Sequence, residues 1–240
     1  MLIGRIALCL VAAGPGVWCQ SAAPARSAGA AGVTPFARGE VLNYAVNWPS
    51  GLGLGEAQMK AGGGEPGWEF DFTIDAGLPG LDIKDGYHSR ADSQLCSERL
   101  EKELAHGPRK TKETITYDQQ KRQAVRQTSG GGKSEIALPD CAKDALTYLY
   151  FLRRELANGR VPAAQAVNFG ASYQVTATYT DSRQVEVGGA RQQADRVQVS
   201  FRGPASSHTL EILFARDAAR TPLVMRVPFT LGTFALELVR

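Results

Sequence analysis

The groups in this chain that could do chemistry are few, and each meets a geometric objection. Gly130-Gly131-Gly132-Lys133-Ser134 has the composition of a loop that cradles phosphates with glycine N–H groups and a lysine ammonium. That pattern needs a glycine six residues before the lysine, where this chain has Gln127, and no buried strand feeds the loop. No serine sits in a Gly-x-Ser-x-Gly elbow, and Ser206-Ser207-His208 is a polar turn, since adjacency does not create nucleophile–base geometry. Three histidines (His88, His106 and His208) leave few groups that titrate near neutrality. Asp82, Asp85 and Asp92 lie close in sequence, and Asp71 and Asp75 share one strand face. Acids on the polar side of a half-buried strand are ordinarily just solvated. Glu40 with Asn43, and Arg216 with Asp217, read as turn formers or surface ion pairs. The chemistry points away from an enzyme and implies no cofactor.

Cysteines carry a clearer message. Cys9 and Cys19 fall in an N-terminal leader, which leaves one possible pair, Cys96 and Cys141. An even remainder in an exported chain predicts a disulfide closing a loop of 44 intervening residues, for which the chain-entropy model gives roughly 4 kcal/mol. A metal site would need His88 or His106 beside them, and neither has C-x-x-C or H-x-x-x-H spacing. The remaining candidates are apolar. Trp48, Trp68, Phe70, Phe72, Leu149 and Phe151 are read either as plain core or as the lining of a cavity for an apolar small molecule or lipid.

One helix and many strands must position these residues. Pro139–Pro162 carries the helical signals: Ala142, Ala145, Leu146, Leu149, Leu152 and Leu156 recur on one face, and Tyr148, Tyr150 and Phe151 widen it. The spacing predicts a buried helix over about 141–157, capped by Asp140, with Arg153 and Arg154 in its last turns and Asn158-Gly159 as its stop. Trp68, Phe70, Phe72 and Ile74 alternate with Glu69, Asp71, Thr73 and Asp75, the cleanest period-two run. Similar runs at Arg38–Trp48, Glu56–Ala61, Tyr87–Leu95, Cys96–Leu104, Lys110–Asp118 and Lys121–Thr128 precede the helix. Ser172–Tyr179, Gln184–Val187, Ala194–Phe201, Thr209–Ala215, Pro222–Val227 and Thr233–Val239 follow it, with Ala76–Leu81 a turn-rich link. The total is about thirteen short strands, which favours a mainly β, α+β domain: an antiparallel meander, curled or partly closed like a barrel, packed on or around the helix.

The whole chain bounds the rest. Its 240 residues, 43% hydrophobic, suffice for one large core over 36–240. A net charge of +3, or +2 without the leader's Arg5, excludes a nucleic-acid or anionic-membrane footprint. Arg5, the apolar run Ile6–Val17 and the small residues near Ala23-Pro24-Ala25 read as a signal peptide over 1–25, cut after Cys19 or after Ala25. Residues 26–35 follow as a Gly/Ala-rich linker. Trp18 just ahead of Cys19 argues against lipid attachment there, and no later stretch is long and apolar enough to span a bilayer. The expected location is the periplasm or another exported compartment.

Three blocks carry a resemblance. They are Gly39-Glu40-Val41-Leu42-Asn43-Tyr44 with Gly55-Glu56-Ala57; the run Asp144–Arg153; and Arg216-Asp217 with Arg220-Thr221-Pro222 and Gly232. In this order they resemble the bacterial domain-of-unknown-function family 3108, exported proteins of Gram-negative lineages. The resemblance implies a β-rich periplasmic fold and lends no catalytic residues. The functional expectation is a non-enzymatic binding or carrier module for an apolar ligand. Its alternative is an envelope-assembly protein that works through a protein partner.

Overall fold

The computed structural model describes residues 33–239 except 79, 205, 230 and 231, so the expected signal peptide over 1–25 and most of the expected linker over 26–35 lie outside the described residues. Among the described residues, fifteen strands form one sheet. Before the helix come β1 (Glu40–Asn47), β2 (Gly53–Gly62), β3 (Trp68–Leu78), β4 (Leu81–Ala91), β5 (Ser97–His106), β6 (Arg109–Asp118), β7 (Gln123–Thr128), β8 (Lys133–Ala137) and β9 (Lys143–Asp144). After helix α1 (Ala145–Ala157) come β10 (Gln165–Asn168), β11 (Ser172–Val187), β12 (Ala190–Arg202), β13 (Ser207–Ala215), β14 (Pro222–Phe229) and β15 (Gly232–Val239).

The sheet is two meanders joined by the first and last strands. Each of β1 to β7 pairs antiparallel with its successor, as does each of β10 to β14, and β1 pairs with β15. The parallel pair is β9 with β10. The order runs from β8 to β9 without a closing pair, so the sheet is curled but not closed. Its ends still meet through other groups. The Ser97 N–H on β5 donates to Ala142 O at 2.9 Å, and the Tyr117 hydroxyl on β6 to Asn168 O at 3.4 Å.

Several local readings change. The segment Ala76–Leu81 is not an open link: β3 runs to Leu78 and β4 begins at Leu81. The two strands expected at 172–179 and 184–187 are one, because a bulge between Tyr179 and Asp181 replaces the expected turn. That merger lowers the expected thirteen to twelve, and β8, β9 and β10, short strands not expected from the sequence, bring the total to fifteen.

Helix α1 starts four residues later than expected. Asp140 is surface-exposed and paired with Arg122. Cys141 has φ +51°, and Lys143-Asp144 pair with β10, so the chain cannot be helical until Ala145. The cap is therefore Asp144, whose Oδ1 accepts from Leu146 N and Thr147 N, both at 2.9 Å. Its Oδ2 accepts from Ser89 Oγ and Ser97 Oγ at 2.6 Å and from Thr147 Oγ1 at 2.9 Å. All four side chains are fully buried. At the other end, Asn158 and Gly159 (φ +71°) stop the helix.

The helix packs on the inner face of the sheet. Leu146, Tyr148, Tyr150, Leu152 and Leu156 share one cluster with Tyr44, Met59, Phe70, Val175, Val197, Ile212 and Phe214. Leu100, Ile115, Tyr117 and Ala124 form a second cluster with Leu138 and Ala142, beneath the link between β8 and β9. Cys96 and Cys141 are disulfide-bonded with Cα atoms 4.6 Å apart, which staples the loop after β4 to that same link. Among the described residues no helix is long and apolar enough to cross a membrane.

Candidate functional site

Directly opposed residues in a sheet share a face, so the register writes out the inner surface row by row. One row reads Ala61, Phe70, Ser89, Leu100, Ile115 and Arg126, from β2 to β7. The next reads Met59, Phe72, Tyr87, Lys102, Glu113 and Thr128. Ala61, Phe70 and Ser89 of the first row lie under α1, and Leu100 and Ile115 under the link between β8 and β9. Phe70 is fully buried and stacks on Tyr150 with centroids 3.9 Å apart, while Phe36 meets Trp68 and Tyr150 edge-on at 4.9 Å each. Arg38 lies 4.4 Å over the Trp68 ring. Phe151 packs beside Tyr148, under the side chains of Lys143 and Arg154.

The opposite end of the strands is different. Trp48 continues the inward parity of Tyr44 and Val46 and meets Phe234 edge-on at 5.0 Å. Val227 is opposite Phe234, Phe201 is opposite Val175, and Leu54, Ile74 and Tyr173 stand at the matching ends of β2, β3 and β11. Val175 is fully buried, the other side chains at this end are half-buried, and Leu52 in the β1–β2 turn is 61% exposed. Phe72 and Tyr87 lean together at 5.9 Å, and Tyr87 stacks at 5.7 Å on Phe169, which is 37% exposed. The result is an apolar ring at one end of an incompletely closed sheet.

The six aromatic and aliphatic residues singled out from the sequence divide between these surroundings. Trp68 and Phe70 lie at the packed end, Phe72 and Trp48 near the open end. Leu149 and Phe151 are half-buried against the main cluster. Two concavities, about 320 and 430 Å³, are half open to solvent; Trp68 lines the first, and none of the six lines the second. Glu65, Glu69, Asp92 and Glu98 border the first, and Asn43, Glu56, Gln58 and Asp75 the second.

Beside the apolar ring is a polar row that sequence reasoning missed. Glu113 accepts from Arg126 and forms an ion pair with Lys102, each at 2.5 Å, and the Lys102 and Glu113 side chains are only 8% and 5% exposed. Burial alone would raise the Glu113 carboxyl; the hydrogen bonds and charges of Arg126 and Lys102 outweigh it and hold the group below its usual range. Lys102 also lies 4.7 Å from the Phe169 ring. Gly170 (φ +81°) closes over this cluster: a Cβ there would stand 3.4 Å from Lys102 Nζ and 3.5 Å from Glu113 Oε1. Burial, with help from Asp85, pushes the Tyr87 phenol well above its usual range, so it is neutral. Asp85 in turn accepts from His106 at 2.9 Å. The ion pairs satisfy one another, and the row offers no nucleophile set against a base.

The other sequence candidates are accounted for by structure. Asp71 pairs with His88, and Asp75 with Lys84, on the solvated face. Ser207 and His208 are neighbours within β13 and so point to opposite faces. The glycine-rich stretch is the β7–β8 hairpin turn, with Thr128 N donating to Gly132 O at 2.9 Å. Glu40 is no turn former: it is the partner of the fully buried Arg153. Arg216 and Arg220 both meet Asp195, not Asp217. Among the described residues no group of three or more His, Cys, Asp and Glu side chains converges as a metal site.

These features define a barrel-like β protein whose sheet is not closed and whose inner face packs against α1. Over residues 43–239 the chain matches the family described as protein of unknown function DUF3108, and it belongs to that family. A solved structure shares the fold: a β-barrel-like protein of domain of unknown function DUF1849 from Brucella abortus. The two superpose with a TM-score of 0.58 at 9% identity, over 83% of this chain and 95% of that one. No curated protein sequence matches the chain significantly.

Proposed function

We propose that this protein is exported to the periplasm and serves there as a non-enzymatic binding module for an apolar molecule, taken up at the open end of the sheet. One observation supports this above others: Trp48, Leu54, Phe72, Ile74, Phe201 and Val227 stay half-buried at the end that α1 leaves uncovered. Apolar side chains gathered at the mouth of a curled sheet favour an apolar guest, since covering them removes surface from water. The Cys96–Cys141 disulfide suits an oxidising compartment. Envelope assembly through protein contacts is the second reading, favoured by the open backbone edge of β11.

The test is to purify the protein from its native compartment, extract it with organic solvent and identify what leaves by mass spectrometry. Near one equivalent of an apolar species supports the proposal, and Phe72→Asp should carry far less of it while still unfolding cooperatively. Protein that yields no apolar species above trace contradicts it.

A further inference from the structure

Strand β11 spans sixteen residues and pairs with β12 along nearly all of them. On its other side β10 covers only Ser172–Val175. From Thr176 to Val187, no described strand lies against that edge of β11. Thr176, Thr178, Tyr179, Thr180, Ser182, Gln184 and Glu186 are exposed, Tyr179 by 47%. A long open edge is a template for another strand, and proteins usually blunt it with lysine, proline or brevity. The edge at β8 is blunted in this way: it has five residues and carries Lys133 and Glu135. The free part of β11 has no lysine and no proline; its charges are Asp181, Arg183 and Glu186, and its one irregularity is the bulge beside Tyr179.

We propose that this edge pairs antiparallel with the same edge of a second copy of the chain, about a twofold axis through Ser182. The charges select the copy and the register. Asp181 and Arg183 share a strand face, are both about 40% exposed and meet each other at 3.3 Å, and Asp181 Oδ2 also accepts from Arg196 Nη2 at 2.5 Å, so pairing between copies adds to contacts already made within each. Centring the axis on Ser182 sets each Asp181 opposite Arg183 of the other copy and each Tyr179 opposite Val185. It also sets Thr178 opposite Glu186, and leaves no like charges facing. Slipping the axis by one residue, to Asp181 or to Arg183, makes that charge face its own copy. A twofold axis repeats every contact, so two opposite-charge pairs and two Tyr–Val pairs form together. This inference is independent of the apolar end and of any ligand.

Sedimentation of the wild-type protein, with the Cys96–Cys141 disulfide intact, should show a reversible dimer at tens of micromolar. Asp181→Arg should weaken it about tenfold, because two opposite-charge pairs become like-charge pairs. Adding Arg183→Asp to that variant should restore it. Ser182→Cys should give a disulfide-linked dimer under mild oxidation. A wild-type protein that stays monomeric over that range overturns the proposal. So does a dimer indifferent to Asp181→Arg, or a Ser182→Cys protein that crosslinks only to a different protein.

Discussion

Arg153 in α1 and Glu40 at the start of β1 are 113 positions apart and meet fork to fork, Nη1 to Oε2 at 2.7 Å and Nη2 to Oε1 at 2.8 Å. The guanidinium is fully buried, donates further to the carbonyls of Ala219 and Arg220, and lies 5.3 Å from the Phe36 ring. A single cation thus ties the helix to the first strand and to the β13–β14 link.

Removing one partner of such a pair strands the other charge in the interior. Glu40→Gln should therefore lower stability by about 3–5 kcal/mol, read as a drop in the urea midpoint at unchanged slope. Arg153→Lys keeps the charge but cannot reproduce the fork, so it should also destabilise the fold, by more than half as much.

The correction to the helix cap predicts an asymmetry between two aspartates. Asp140 is 80% exposed, so Asp140→Ala should change stability by no more than about 0.5 kcal/mol. Asp144→Ala removes the cap and leaves the Ser89, Ser97 and Thr147 hydroxyls without their acceptor. Its loss should exceed the roughly 1 kcal/mol of a surface cap and reach about 3 kcal/mol by the same denaturation.

Reduction should weaken the fold without dismantling its sheet. Opening Cys96–Cys141 frees a loop across a sequence separation of 45, for which loop entropy gives roughly 4 kcal/mol. Dithiothreitol and the double Cys→Ser variant should produce the same fall in melting temperature. Dithiothreitol should then do nothing more to the variant.

Lys143 supplies a pH signature. Burial, reinforced by the positive charge of Arg154, lowers its ammonium to about 8, and among the described residues its Nζ donates to Cys141 O at 2.9 Å and Cys141 Sγ at 3.3 Å. The unfolded chain holds this proton up to about pH 10.4. Between those values the unfolded state binds more protons, so stability rises with pH; below about 8 the full penalty of burying the charge remains. Lys143→Met should abolish this share of the rise, seen as the difference between wild-type and variant urea midpoints from pH 7 to 10.

How much of this was legible depended on whether the signal was local. The alternation Trp68–Ile74, the apolar periodicity of α1 and the Cys96–Cys141 pair all reached the structure, the first two because period and parity are properties of short stretches. The pairing of β1 with β15 joins the two ends of the chain, and no local pattern specifies it. The expected cap is Asp140; a left-handed Cys141 and two residues paired to β10 move it to Asp144, which no local pattern indicated. Lys102 and Glu113 look like solvated strand residues until the register sets them beside Tyr87 on the inner face. The inward parity of polar residues in β5 and β6 was the available clue, but it has meaning only once Leu100 and Ile115 fix which face is inside.

Apolar molecules should bind at the open end and not at the packed one, and tryptophan fluorescence tests this most directly. Trp48 marks the first place and Trp68 the second. Titration with a brominated fatty acid should saturably quench a variant that retains only Trp48, and leave one that retains only Trp68 nearly unchanged. Equal quenching of both, or of neither, would contradict the account.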